Sequence, residues 1–343
     1  MSGSRVSRRE WLAAAVAGST VVAHAMEPPA PGAATSQRSD SDAGQRRAPE
    51  DGRGQAVTAD RADEPPFQYC LNMSTIRGQK LSVPDQVDLA AKAGYDAIEP
   101  WMGDLTQYVQ QGGSVSDLRK RIEDAGLTVA SAIGFAEWIV DDDSRRSQGL
   151  ENARRDMDLL RQIGGVRIAA PPTGATKQPD LNLFRAAERY RTLLELGAQM
   201  DVTPQLELWG FSLSMSRLGE LLFVAAESGH PQACVLPDVY HIYKGGSDFA
   251  GLRLLNGRAV HVFHMNDYPA QPKRDTISDA DRVYPGDGIA PLASILRGLE
   301  ANGFRGALSL ELFNRQYWAQ DPLQVARTGL EKMRAAVAAS LAS

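Results

Sequence analysis

Five residues in the second half of the chain have types that do chemistry and spacings that would bring them together. Glu207 interrupts the apolar run Gln205-Leu206-Glu207-Leu208-Trp209, and Glu311 interrupts Leu308-Ser309-Leu310-Glu311-Leu312. Asp238 follows Leu236-Pro237, with His241 three residues further on, and His264 falls late in the run Val262-Phe263-His264-Met265-Asn266. An ionised carboxylate inside a buried apolar strand is costly unless it is paired or bound to a cation. Glu207, Asp238, His264 and Glu311 together would offer carboxylate oxygens and one imidazole nitrogen. That set suits one divalent ion, with Mn²⁺, Mg²⁺ or Co²⁺ first and Zn²⁺ also admissible, and it leaves positions open for substrate oxygens. A lone strand glutamate more often closes a salt bridge, and a lone strand histidine more often only hydrogen-bonds. One such residue on each of four successive strands is not what unrelated structural needs produce.

The elements that would position them are legible as alternation. From residue 67 onward, short apolar runs rich in β-branched residues alternate with longer stretches of helical period. Strands are expected at residues 68–73, 97–101, 128–133, 166–170, 205–209, 234–238, 260–266 and 308–312. Ser82 with Pro84 and Asp85 reads as the start of a first helix, and Asp321-Pro322 as the start of the last. The rhythm predicts an α/β fold, a (β/α)₈ TIM barrel over residues 67–343. A doubly wound open sheet is the competing architecture, but no phosphate-cradling glycine fingerprint follows the first strand. In a barrel the C-terminal strand ends gather at one mouth, so polar residues there read as functional.

Glu207 and Glu311 lie on strands three apart around such a ring and would flank a bound substrate. One would take a carbon-bound proton and the other return it, through an enediolate that the cation stabilises. Glu99 and Trp101 share a strand face; Glu99 either lines the mouth or closes an internal salt bridge. Trp101 or Trp209 would stack on the apolar face of a ligand. Asn72 is a weaker candidate, since a strand-end Asn often only makes a turn. The segment 267–287 is long for a barrel loop and reads as a lid or pocket wall. Its Lys273 and Arg274 read as solvated, whereas Arg282, beside Val283-Tyr284, is the cation expected to meet substrate. His261 stands three positions before His264 and should face away from it, towards the helices. His230 is expected to face solvent.

Composition narrows the class. The chain has 343 residues, 37 Lys+Arg against 42 Asp+Glu, a net charge of −5 and 43 % hydrophobic residues. That supports a globular core and argues against non-specific nucleic-acid binding. No apolar run reaches the roughly 18 residues of a membrane span. The two cysteines, Cys70 and Cys234, make no disulfide framework. Residues 1–25 read as an export signal: Arg8-Arg9-Glu10-Trp11-Leu12, a weakly apolar stretch, then Ala23-His24-Ala25. The paired arginines resemble a twin-arginine signal, which implies the twin-arginine machinery as partner and a periplasmic or otherwise exported protein. Residues 26–66 have the composition of a disordered linker. A homo-oligomer is compatible with the sequence.

Taken together, Glu207, Asp238-x-x-His241, His264-Met265-Asn266-Asp267 and Glu311 resemble the xylose isomerase-like TIM barrels, a family that includes sugar phosphate isomerases and epimerases. Gly94-Tyr95-Asp96-Ala97-Ile98-Glu99 is similar to its second-strand signature, and Tyr284-Pro285-Gly286-Asp287-Gly288 to its turn before the seventh helix. The resemblance implies a cation held by Glu207, Asp238, His264 and Glu311, with His241 binding substrate. It implies an isomerase or epimerase acting on a sugar or keto-sugar. An inosose dehydratase-like lyase and a non-catalytic sugar-binding barrel are the alternatives. Endonuclease IV-like chemistry fits poorly, because the chain has only 5 His and no basic stripe. An export signal favours free over phosphorylated sugars.

Overall fold

The computed structural model describes residues 67–342; the expected signal and linker lie outside the described residues. Eight parallel strands are present: β1 Gln68–Asn72, β2 Ala97–Glu99, β3 Thr128–Val129, β4 Arg167–Ala170, β5 Thr203–Glu207, β6 Val235–Leu236, β7 Val262–Met265 and β8 Ala307–Leu310. The helices are α1 Val83–Ala93, α2 Met102–Gln110, α3 Val115–Asp124, α4 Asp143–Gln162, α5 Leu183–Met200, α6 Leu218–Glu227, α7 Val239–Lys244, α8 Leu292–Ala301, α9 Arg315–Trp318 and α10 Pro322–Leu341. Regular pairing gives a five-stranded arc, β3-β2-β1-β8-β7, and a three-stranded arc, β4-β5-β6. Single bridges close the ring. Ala132 exchanges backbone hydrogen bonds with the β4 region, and Val235 pairs with Val260 and Asp238 with His264. The expected barrel is the fold observed.

Every strand differs in extent from expectation at one or both ends, and three of the differences have a local reason. Beyond Val129 the third run pairs only at isolated positions, through Ile133 with Trp101. The regular sixth strand ends early because Pro237 has no N–H to give; beyond it Asp238 pairs singly with His264 while its side chain caps α7. β5 starts at Thr203 rather than Gln205, so it contains Pro204. Leu206 N and Leu208 N reach β6, and β6 begins opposite Leu206, so no carbonyl waits where the Pro204 N–H would be.

The strand alternation separates two apolar layers. Outward residues such as Leu71, Ile98, Leu206, Phe263 and Leu310 join the helices in the main core. Inside the ring, Cys70, Ala97, Ala130, Ala169, Leu236, Val262 and Ala307 form a small second core. Their modest size lets the narrow interior close at native density. One step further towards the C-terminal ends, the inward positions turn polar: Asn72, Glu99, Glu207, Asp238, His264, Ser309 and Glu311, every one buried. The apolar plug thus forms the floor of a polar chamber at the mouth. Cys70 and Cys234 are buried free thiols. No described helix is long and apolar enough to cross a membrane.

Candidate metal centre and active site

His264 is the hub of the chamber. Its Nε2 lies 3.1 Å from Glu99 Oε2, and that oxygen also accepts from Asn72 Nδ2 at 2.9 Å and Ser309 Oγ at 2.6 Å. Burial works against charge on Glu99, but His264, Ser309 and Asn72 more than offset it and hold the carboxyl below its ordinary range. An ionised carboxylate only accepts, so Nε2 carries the hydrogen. Nδ1 is thereby turned towards the remaining acids. It lies 3.2 Å from Glu311 Oε2, 3.7 Å from Asp238 Oδ2 and 3.8 Å from Glu207 Oε1. None of these is a hydrogen bond, and Nδ1 and Glu207 Oε2 are both buried without one.

The donor set fits a divalent cation. One ligand atom each from Glu207, His264 and Glu311 lies within 4.8 Å of the others. Asp238 stands beside this trio with its oxygens already engaged. Oδ1 accepts from His241 N at 2.7 Å, while Oδ2 accepts from Asn266 Nδ2 at 2.9 Å and from Arg282 Nη1 at 3.1 Å. Four acids, Glu99, Glu207, Asp238 and Glu311, therefore share one permanent cation, Arg282, leaving excess negative charge around a buried imidazole. Burial opposes an imidazolium, yet Glu311 and Glu99 push the His264 pKa well up. Burial pushes the Glu207 carboxyl well above its usual range, with Glu311 and Glu99 adding to it. Burial acts the same way on Glu311, but His264 and Arg282 overcome it and hold that carboxyl low. A buried site that protonates its own ligands for want of positive charge is one that a metal ion completes.

Arg282 enters this layer from the segment after β7. It is fully buried, with Nη1 2.8 Å from Glu311 Oε2 and Nη2 2.9 Å from His241 Nε2, and it also contacts Asp279. Its base is fixed by Asp267, which exchanges backbone hydrogen bonds with Val283. The Asp267 carboxylate accepts from the N–H groups of Tyr268, Gly286, Gly288 and Ala290. This explains why the motifs His264-Met265-Asn266-Asp267 and Tyr284-Pro285-Gly286-Asp287-Gly288 occur together: the first supplies the carboxylate that clamps the second. The Asp238-x-x-His241 spacing has an equally local origin, because Asp238 caps α7 and His241 donates the capped N–H. Burial, with Arg282 adding to it, drives the His241 pKa down to about 4, so its ring is neutral near pH 7.

The residues singled out from sequence thus have different places. Glu207, His264 and Glu311 converge, Asp238 adjoins them, and His241 and Arg282 form the next contact outward. Glu99 lies in the same chamber, fully buried against His264, and makes the internal ion pair that is the other expectation for it. Asn72 is more than a turn residue, since it bridges Glu99 and Glu311. Lys273 and Arg274 are exposed, as expected. His261 lies away from the centre, as expected, in a separate cleft lined by Arg167, Arg258, the start of β5 and Gly197 and Ala198 of α5.

Trp101 belongs to a closed collar that the sequence did not announce. Ring centroids are 6.2 Å apart for Phe313 and Trp101, 5.1 Å for Trp101 and Phe135, 6.2 Å for Phe135 and Trp209, and 5.2 Å for Trp209 and Phe211. Phe211 continues to His241 at 5.8 Å, and Arg282 lies 5.1 Å over Phe313, completing the circuit. Arg77 stacks on Trp101 at 3.9 Å and is held by Asp104. Phe135 and Phe313 come from irregular loops, where no periodicity marks them. Asn266 and Ser309 were also missed, although Ser309 shares the strand face of Glu311.

Comparison with known proteins agrees with this architecture. Residues 87–336 match the family described as the xylose isomerase-like TIM barrel. A 3-dehydroshikimate dehydratase of Pseudomonas putida is 25 % identical over 255 residues, 74 % of this chain but 39 % of that protein. The chain therefore spans well under half the length of that dehydratase. An inosose isomerase of Bacillus velezensis is 22 % identical over 79 % of this chain and 97 % of its own length. Among solved structures, a zinc-bound IolI protein superimposes with a TM-score of 0.74 at 19 % identity, covering 81 % of this chain and all of that one. The curated relatives are enzymes, and this chain belongs to the xylose isomerase-like TIM barrel family.

Proposed function

We propose that the protein is a metal-dependent isomerase or epimerase that moves a proton beside the carbonyl of a sugar or keto-sugar. The observation that carries this reading is the pairing of unsatisfied buried atoms, His264 Nδ1 and Glu207 Oε2, across from Glu311 within one polar chamber. Glu207, His264 and Glu311, with Asp238 alongside, would hold one divalent ion, which supplies Lewis-acid polarisation of a carbonyl when bound. Glu99 and Asn72 orient the ligands. Glu207, whose second oxygen is free, is suited to take a carbon-bound proton, and Glu311 to return one from the opposite side. Arg282 and neutral His241 would hold substrate oxygens, and the aromatic collar would cover the apolar faces of a sugar and exclude water.

A dehydratase is the second reading, favoured by the similarity to the Pseudomonas dehydratase. The same base would start it, but a hydroxyl would then leave. Incubation with keto-sugars in D₂O separates the outcomes. Deuterium uptake with retained composition supports isomerisation or epimerisation, loss of water supports the lyase, and neither with any substrate contradicts both. We also infer export by the twin-arginine route from Arg8-Arg9. Fractionation of cells carrying Arg8→Lys with Arg9→Lys should show the protein retained in the cytoplasm; unchanged export would refute the route.

A further inference from the structure

Beside the mouth, α2, α4 and the loop after β3 border an open cleft of about 660 Å³, lined by Gln107, Gln110, Gln111, Asn152, Asp156 and Phe135. We propose that this cleft is a second sugar subsite, so that the substrate is a glycoside whose keto ring sits at the metal centre and whose neighbouring ring lies between α2 and α4. The proposal rests on the reading of the chamber given above.

Continuity is the first argument. Phe135 lines the cleft and is also a member of the collar, 5.1 Å from Trp101 and 6.2 Å from Trp209, and it is 40 % exposed. Phe135 therefore joins the collar over the chamber to the cleft.

Chemistry is the second. The side chains of Gln107, Gln110 and Gln111 make no hydrogen bond among the described residues, and neither does Asp156 although it is half-buried. Each amide offers a donor and an acceptor together, which matches adjacent sugar hydroxyls. Burial pushes the Asp156 carboxyl up to about 6, and Arg155, which is engaged with Asn152, opposes the rise only in part. No Lys or Arg is among the residues that line it. Such a lining selects a neutral polyol over a phosphate or carboxylate, which would need a cationic partner. The volume is in the ordinary range for small-ligand sites.

Calorimetry of the full chain with glucose, maltose, cellobiose and trehalose tests this without any chemical step. At least one disaccharide should bind about tenfold more tightly than glucose. The gain should disappear in Asp156→Ala and in Gln107→Ala with Gln111→Ala, while glucose binding stays unchanged. The proposal is overturned if no disaccharide exceeds glucose, or if the gain survives both variants. Deuterium exchange in Glu207→Gln and Glu311→Gln tests the chamber separately. Retained exchange there, with the disaccharide gain intact, would sink the catalytic reading and leave the cleft standing. Lost exchange with no gain would sink the cleft alone.

Discussion

Glu99 Oε2 and His264 Nε2 lie 3.1 Å apart within the chamber, with both side chains completely buried. The contact fixes which imidazole nitrogen is available to a cation, and it joins β2 to β7 across the barrel. Carboxylates that hold a ligating histidine in this way are worth about 10- to 100-fold in metal affinity. Glu99→Gln should weaken divalent-ion binding by about that factor while leaving the fold intact. Competition against a chelating dye would measure it, and unchanged affinity would show that the pair is only structural.

Arg282 is the permanent cation shared by Asp238 and Glu311. Removing one partner from a buried ion network leaves uncompensated charge, typically costing about 3 kcal/mol or more. Arg282→Ala should therefore be destabilised by about 3 kcal/mol in urea with chelator present. Saturating Mn²⁺ or Zn²⁺ should recover much of the loss, because the same carboxylates regain a cation. An identical loss with and without metal would separate the arginine from the metal centre.

The clamp at the base of the Arg282 loop leaves no room for a side chain at Gly288. A methyl there would meet Asp267 Oδ1 and Tyr268 O, each at 2.3 Å. Gly288→Ala should cost about 2 kcal/mol and lower deuterium exchange, since the loop that delivers Arg282 must shift. Gly298 in α8 has nothing within 4 Å, so Gly298→Ala should instead stabilise by about 0.5 kcal/mol. Equal effects of the two substitutions on unfolding midpoints would contradict the clamp.

Asp156 gives a pH signature distinct from the metal centre. Its folded pKa, raised by burial from 3.8 to about 6, means that the folded state holds the proton more tightly than the unfolded one. Stability from this group is present below pH 3.8 and is lost as pH rises through about 6. Asp156→Asn should thus be more stable than the parent by about 1 kcal/mol at pH 8, the shift being discounted for partial solvent access, and equal to it near pH 3.5. Denaturation at the two pH values checks the sign; a gain at low pH alone would contradict it.

How far the sequence reaches can be followed residue by residue. The barrel was legible because strand and helix periods alternate in the chain itself. Glu207, His264 and Glu311 were legible because a charged or imidazole group inside an apolar strand has few affordable explanations. Depth was not legible. Alternation places Glu99 on the inner face of β2, but only the register of β1, β2 and β8 brings it level with Asn72 and near Ser309, and only ring closure brings it against His264. The strand ends at Val129 and Leu236 were missed because backbone pairing with neighbours, not side-chain pattern, decides where a ladder stops. Phe135, Phe313 and the Asp267 clamp depend on loops brought together by closure of the ring, and no local signal in the chain records that meeting.

Metal analysis of the full chain, purified without chelator and dialysed against metal-free buffer, tests the centre most directly. About one divalent ion per chain should remain bound, and it should be lost together in His264→Ala and Glu311→Gln. Protein that carries no divalent ion and takes none up on titration would contradict the account, as would both variants retaining it at full occupancy.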